Sequence, residues 1–411
     1  MRLVKVSELA LGQTIAADVS NLDQQVIMRA GATVDAHQCA ILKAWGIQEV
    51  AVQGESEPEP PVGPGTESPE LQETVLAPTE EHDRSHPAFR ELVEVVARVK
   101  ARLGGTIMDP TLPLPPRNGP AASVQNKSLS AEAISASARL LPSLPGVYLQ
   151  VDRVINHPAS SAADIAAVLS GDQGICARLL SIANSAFYGF SHRIDGVSEA
   201  VRVIGTRQLH DLVLATVVLM QLQGVDARLV TMNSFWRHSL AAGIAARSIA
   251  AARRETNPER YFVAGLLHDI GSLVLYQAQP ALAQAAIERH RATALSLEAT
   301  ERAVIGCHHG SVGAALMAKW KLPHLFQEVA ASHHAADVRS LTPASAVVWL
   351  ADLLAMALEL GTNGEARPSR FNPGIWELVG IEAGALQPIA DEVVRLLAET
   401  QRAFLGEELA A

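Results

Sequence analysis

Residues 262–271 put an imidazole and a carboxylate side by side in an apolar run that ends Leu266-Leu267-His268-Asp269-Ile270-Gly271. A fold that buries this stretch must give both groups a partner, because an unpaired buried polar group costs roughly 2–7 kcal/mol and a charge costs more. Two solutions are open. The pair can hydrogen-bond within the core, or a divalent cation can take imidazole nitrogen and carboxylate oxygen together and cancel the charge.

The surrounding chain favours packed helices. It is 48% hydrophobic but only 4% aromatic, with long stretches free of Pro, which argues against a sandwich. At 411 residues it has room for two or three domains. A formal net charge of -10 disfavours nucleic acid as a partner, since phosphate binding needs clustered Lys and Arg. Cys39, Cys176 and Cys307 are odd in number and lack a CxxC spacing, so neither a disulfide framework nor a thiolate zinc site is indicated. The first residues hold no apolar core like that of a signal peptide. Apolar runs such as 212–220 and 346–358 fall short of the roughly 20 residues a membrane span needs. A soluble, cytoplasmic protein with no membrane partner is expected.

Residues 1–53 read as a small α+β module. Strand candidates are Thr14-Ile15-Ala16, Gln25-Val26-Ile27-Met28 and Glu49-Val50-Ala51-Val52, with a helix capped by Asp35, carrying Cys39, Leu42 and Trp45, and stopped at Gly46. So short a unit buries little surface, so packing on a neighbour or formation of a homo-oligomer is expected. Residues 54–86 are acidic and rich in Pro, a solvated linker. Residues 87–103 return to helical periodicity, with Phe89, Leu92, Val93, Val96 and Val99 on one side. This isolated helix reads either as a docking or coiled-coil element or as a plain spacer. A second Pro-rich linker covers 104–128, and residues 129–408 are helical in pattern. Within that region Ser161 can cap a helix, Asn184 and Gly189 suit a helix exit, and Gly205 a turn between helices.

Further His and Asp residues recur in apolar settings. His238 shares a helix side with Phe235, Ala242, Ala245 and Ile249, and Asp352 interrupts the apolar run 346–358. His308-His309 and His333-His334 are adjacent pairs, the second after a helix that Pro323 can start. Each alone can be a hydrogen-bonded core residue, and His308 a solvated loop end. Together His238, His268, His309, His333 and His334 with Asp269 and Asp352 supply five imidazoles and two carboxylates, the complement of a dinuclear site with a shared carboxylate. A metal pair in such a site could hold a phosphate and acidify a bridging water.

With these residues assembled, the chain resembles bacterial HDOD domains over about residues 130–360. The likeness rests on Leu144-Pro145, Asn184-Ser185-Ala186-Phe187-Tyr188-Gly189, the stretch from Ala200 to Gly205, and Ala264-Gly265-Leu266-Leu267-His268-Asp269-Ile270-Gly271. The resemblance implies an all-helical HD-type bundle related to the HD phosphohydrolases and the HD-GYP cyclic-di-GMP phosphodiesterases, in a signal-transduction output domain generally regarded as non-catalytic. Residues 1–53 are similar to a short module that often precedes HD-GYP domains. By the same likeness His238, His268, Asp269 and Asp352 would hold one metal, and Asp269 as bridge with His309, His333 and His334 a second. The ions would be Mn, Fe, Ni or Zn. Two departures bear on activity: Ser272 stands where catalytic HD-GYP proteins carry Lys, and Ala335-Ala336-Asp337 replaces their GYP segment. The implied function is regulation by binding a signalling partner or a cyclic nucleotide, with metal-dependent phosphodiester or phosphomonoester hydrolysis as the alternative.

Overall fold

Short strand signals near the N-terminus and a 3.6-residue rhythm after them call for different architectures, and the chain divides accordingly into two units, Met1–Thr66 and Glu67–Ala411. The computed structural model describes residues 86–103, 128–137, 146–155, 157, 160–222 and 224–406, with 2–5, 15–16, 19–20, 26–28, 34 and 49–52 of the first unit.

In the first unit β1 (Arg2–Lys5) pairs antiparallel with β4 (Glu49–Val52), and β2 (Val19–Ser20) with β3 (Val26–Met28). Val4 and Val50 are direct partners and both are buried. Of the expected strands, the one at 25–28 is seen as Val26–Met28 and the one at 49–52 as Glu49–Val52. Of Thr14-Ile15-Ala16 only an isolated bridge at Ile15 is seen, beside an Ala16 N–H that donates to the Ala51 carbonyl at 2.7 Å. The helix expected after Asp35 lies outside the described residues, as do both linkers apart from their ends at His86 and Ser128.

The second unit begins with α1 (Pro87–Arg102), capped by His86 and buried along Phe89, Leu92, Val95, Val96 and Val99. This helix is not isolated. Its apolar side packs on α17 (Leu386–Leu405), while Lys100 pairs with Glu359 at 2.6 Å and Arg102 with Asp391 at 2.7 Å. An apolar stripe this continuous is covered rather than left in water.

Next come α2 (Ala131–Ser137), α3 (Gly146–Ile155), α4 (Ala162–Ser170) and α5 (Gln173–Ala183). Ser161 and Asp164 form a capping box at the start of α4. At the exit of α5 the Asn184 amide donates to the Leu180 and Ile194 carbonyls and accepts the Ile194 N–H, while Phe187 is buried. Gly205, at φ +93°, turns the chain by 119° between α6 (Val197–Ile204) and α7 (Thr206–Gln221). Only a residue without Cβ adopts that φ at little cost.

The core is centred on α8 (Met232–Ala252), capped by Thr231 and buried on nearly every side against α9 (Pro258–Leu267), α15 (Pro343–Ala357) and α17. Around them lie α10 (Ile270–Ala278), α11 (Pro280–Ala292), α12 (Leu297–Val304), α13 (His309–Lys319), α14 (His324–Ser332) and α16 (Pro373–Val379). Pro323 does stand at the start of α14. Two glycines set the closest crossings. A Cβ on Gly265 would lie 2.8 Å from the Ala242 carbonyl oxygen, and one on Gly271 would lie 1.9 Å from that of His309. Those contacts bring α9 onto α8 and α10 onto α13, so residues distant in sequence meet. Among the described residues no single helix is long and apolar enough to cross a membrane.

Candidate metal centre

His238 projects from the middle of α8, His268 and Asp269 from the α9–α10 junction, His309 from the first turn of α13, His333 and His334 from the end of α14, and Asp352 from α15. All seven side chains meet in the helical core. They form two groups, Asp269 with His309, His333 and His334, and His238 with His268 and Asp352, and within each the ligand atoms lie within 4.8 Å of one another.

Asp269 joins the groups. Its Oδ2 is 2.9 Å from His268 Nε2 and 3.5 Å from His238 Nε2, whereas its Oδ1 is 3.4 Å from both His309 Nε2 and His333 Nε2. Asp352 Oδ1 faces His238 Nε2 at 3.1 Å and His268 Nε2 at 3.7 Å. These contacts lack hydrogen-bond alignment. His238 Nε2, His268 Nε2, His333 Nε2 and Asp269 Oδ1 are all buried without a hydrogen-bond partner. Such orphaned groups are rare in a native core, and an ion is one of the few things that explains several at once.

The other ring nitrogens show how each ring is held. A carbonyl or carboxylate oxygen can only accept, so His268 Nδ1 donates to the Gly265 carbonyl at 2.6 Å, His333 Nδ1 to that of Ala330 at 2.9 Å, and His309 Nδ1 to Glu301 Oε2 at 2.6 Å. Each bond turns Nε2 inward, where His309 Nε2 lies 2.9 Å from His334 Nε2, the outer-sphere pattern that orients metal-ligating imidazoles. Glu301 also accepts the His309 backbone N–H at 2.9 Å, and the Asn363 amide donates to Asp269 Oδ2 at 2.7 Å. Tyr276 donates its hydroxyl proton to the Asn363 carbonyl at 2.5 Å, fixing that turn.

Without an ion the charges compensate one another. Burial pushes the Asp269 carboxyl up, but the facing imidazoles of His268, His238 and His333 outweigh it and hold it well below the usual range. Asp352 is likewise driven down against its burial by His238 and His268. Burial disfavours charge on His309, yet Glu301 and Asp269 raise it to about 9. For His334, burial and the neighbouring His333 and His309 act together and lower it well below its ordinary value. Burial and the Asp352 charge push the nearby Glu365 up to about 8.

All seven residues singled out in the sequence are thus brought together. His308 is not a solvated loop end: it is buried, and its Nε2 accepts from the Arg302 guanidinium at 2.9 Å. Glu301, Asn363 and Glu365, which complete the surroundings, escaped sequence reasoning. The one pointer to Glu301 was a carboxylate a short helix upstream of His309.

Residues 141–336 match the HDOD domain family model. An uncharacterized protein of Treponema pallidum (strain Nichols) is 28% identical over 195 residues, which span 47% of this chain and 37% of that protein. The chain therefore matches well under half the length of this curated relative. Among solved structures, an HDOD domain protein of unknown function from Geobacter sulfurreducens superposes with a TM-score of 0.56 at 22% identity, covering 67% of this chain and 97% of that one. A protein from Shewanella amazonensis SB2B, provisionally named a phosphohydrolase, gives 0.52 at 22% identity, covering 68% and 98%. One from Marinobacter aquaeolei VT8, provisionally named a signal transduction protein, gives 0.52 at 18%, covering 78% and 66%. At these identities the structures establish a common fold.

Proposed function

Because residues 141–336 match the HDOD domain family model, we propose that the helical core is a dinuclear metal centre of the HD phosphohydrolase type, acting on a phosphate ester within a signalling protein. The observation that carries this is Asp269, whose two oxygens face different groups of imidazoles. His238, His268 and Asp352 would hold one divalent ion, His309, His333 and His334 the other, with Asp269 shared. A bound pair of Mn, Fe, Ni or Zn would supply Lewis acidity toward a phosphate oxygen and toward water.

The protein's own groups prepare the site. The Gly265 and Ala330 carbonyls and Glu301 keep three ring protons on Nδ1, so the lone pairs remain available. Asn363 holds Asp269 in place. Burial excludes bulk water from most of the ligands and strengthens every charge interaction among them. The opening is at His334, whose side chain is 7% exposed against 0–3% for the other six.

A second reading, a regulator that binds a nucleotide or partner at the same centre without turnover, is favoured by Ser272. It stands where HD-GYP enzymes carry Lys, and it is fully buried. Assay of the metal-loaded full chain with cyclic-di-GMP and with p-nitrophenyl phosphate separates the two. Sustained turnover of either compound that disappears in Asp269→Ala is expected. A metal-replete protein that hydrolyses neither would leave only the binding role.

A further inference from the structure

The helix that carries Asp352 is gripped at two points by a helix from far upstream. Phe371 lies between Phe89 of α1 and Trp349 of α15, its ring centroid 5.6 Å from the first and 6.3 Å from the second. Further along α1 the Lys100 ammonium pairs at 2.6 Å with Glu359, just past the end of α15. The stretch from Phe89 to Lys100 spans about 16 Å of helix and that from Trp349 to Glu359 about 15 Å, so the two anchors match in spacing. Asp352 stands between them. A second upstream helix meets the other half of the centre: α2 packs on α13, which carries His309, with Ile134 buried and the Leu129 N–H donating to the Ile305 carbonyl at 3.0 Å. Both helices precede residues 141–336, and each adjoins a Pro-rich stretch of sequence.

We propose that α1 is a regulatory strap: docked, it holds α15 in register and keeps Asp352 in place, and its release loosens that helix and weakens the centre's hold on a divalent cation. The inference rests on the metal-centre reading for the cation, while the mechanical link between α1 and α15 stands without it. The fastening suits a reversible device. Phe89, Leu92, Val95, Val96 and Val99 supply a buried face, but the ion pairs at the far end are within reach of water and salt, with Glu359 31% exposed and the Arg102 and Asp391 side chains 53% and 40%. A helix at the edge of a packed unit, held in part by such pairs, opens at lower cost than the core it covers. Linkage then works in both directions: if docking of α1 raises cation affinity by some factor, a bound cation favours the docked strap by the same factor.

The test is hydrogen exchange of the full chain, read by mass spectrometry over α1 and α15, in chelator-treated protein and after addition of Mn, with Mn affinity taken from competition with a chelator. Lys100→Glu should speed exchange fivefold or more both in α1 and in the last turns of α15, and weaken Mn binding fivefold or more. Restoring the pair in the opposite sense, with Glu359→Lys added, should reverse these effects. Phe89→Asp, which puts a charge on the buried face, should reproduce them where loss of the ion pair alone does not free the strap. In the parent, Mn should slow exchange in α1. Faster exchange in α1 with α15 and Mn affinity unchanged, or α1 exchange indifferent to Mn bound at the centre, would overturn the proposal. A chain that takes up no metal yet shows α15 loosening with α1 would uphold the strap while removing the dinuclear centre, so the two ideas fail separately.

Discussion

His290 shows how much one buried ring commits the chain to neutral pH. Its Nδ1 donates to the Leu295 carbonyl at 2.7 Å, so its Nε2 must stay unprotonated to accept the Ala366 N–H at 2.9 Å. Burial, reinforced by Arg367 and Arg291 and opposed by the Leu295 carbonyl, lowers its pKa to about 4. An unfolded His titrates near 6.5. Between those values the unfolded chain binds more protons, so the stability this group contributes is complete above about pH 6.5 and is lost as pH falls toward 4. At full extent it is on the order of 3 kcal/mol. Urea unfolding at stepped pH should show the native state weakening across that interval, and less steeply in His290→Gln, which cannot titrate. Equal slopes in the two proteins would refute this role.

At the scale of elements, the site depends on helices that approach more closely than side chains normally permit. Gly271→Ala would put a methyl against the His309 carbonyl oxygen and 2.5 Å from the Gly313 backbone nitrogen, forcing α10 and α13 apart. Overpacking of this kind costs about 1–3 kcal/mol. A lower melting temperature together with weakened metal uptake is expected, because the same shift moves His309. A variant that melts like the parent would mean the crossing is looser than described. The helices themselves were legible in the sequence through period and caps: Ser161, Asn184, Gly205 and Pro323 all sit at helix boundaries. The destination of α1 was not, because Pro-rich flanks say nothing of where Phe89 and Val96 find cover. The seven candidate ligands stood out as His and Asp in apolar surroundings. Glu301 shares its helix with Glu298 and Arg302 and so reads as part of a solvated face, and Asn363 and Glu365 lie in a Gly-containing turn that reads as a surface loop. Their burial is a tertiary fact with no local signature.

For the molecule as a whole, the candidate ligands are drawn from positions 238 to 352, and only the closed bundle assembles them. A cation bound to the native state alone therefore stabilises the whole helical unit by mass action. In its absence protons do part of that work, since His268 and His309 are held above their ordinary values by facing carboxylates despite burial. The most direct test is elemental analysis of the full chain, purified without chelator and again after reconstitution with Mn, Fe, Ni or Zn. About two equivalents per chain are expected from a site divided by a shared carboxylate, falling in Asp269→Ala. Less than about half an equivalent after reconstitution would contradict a metal centre at Asp269.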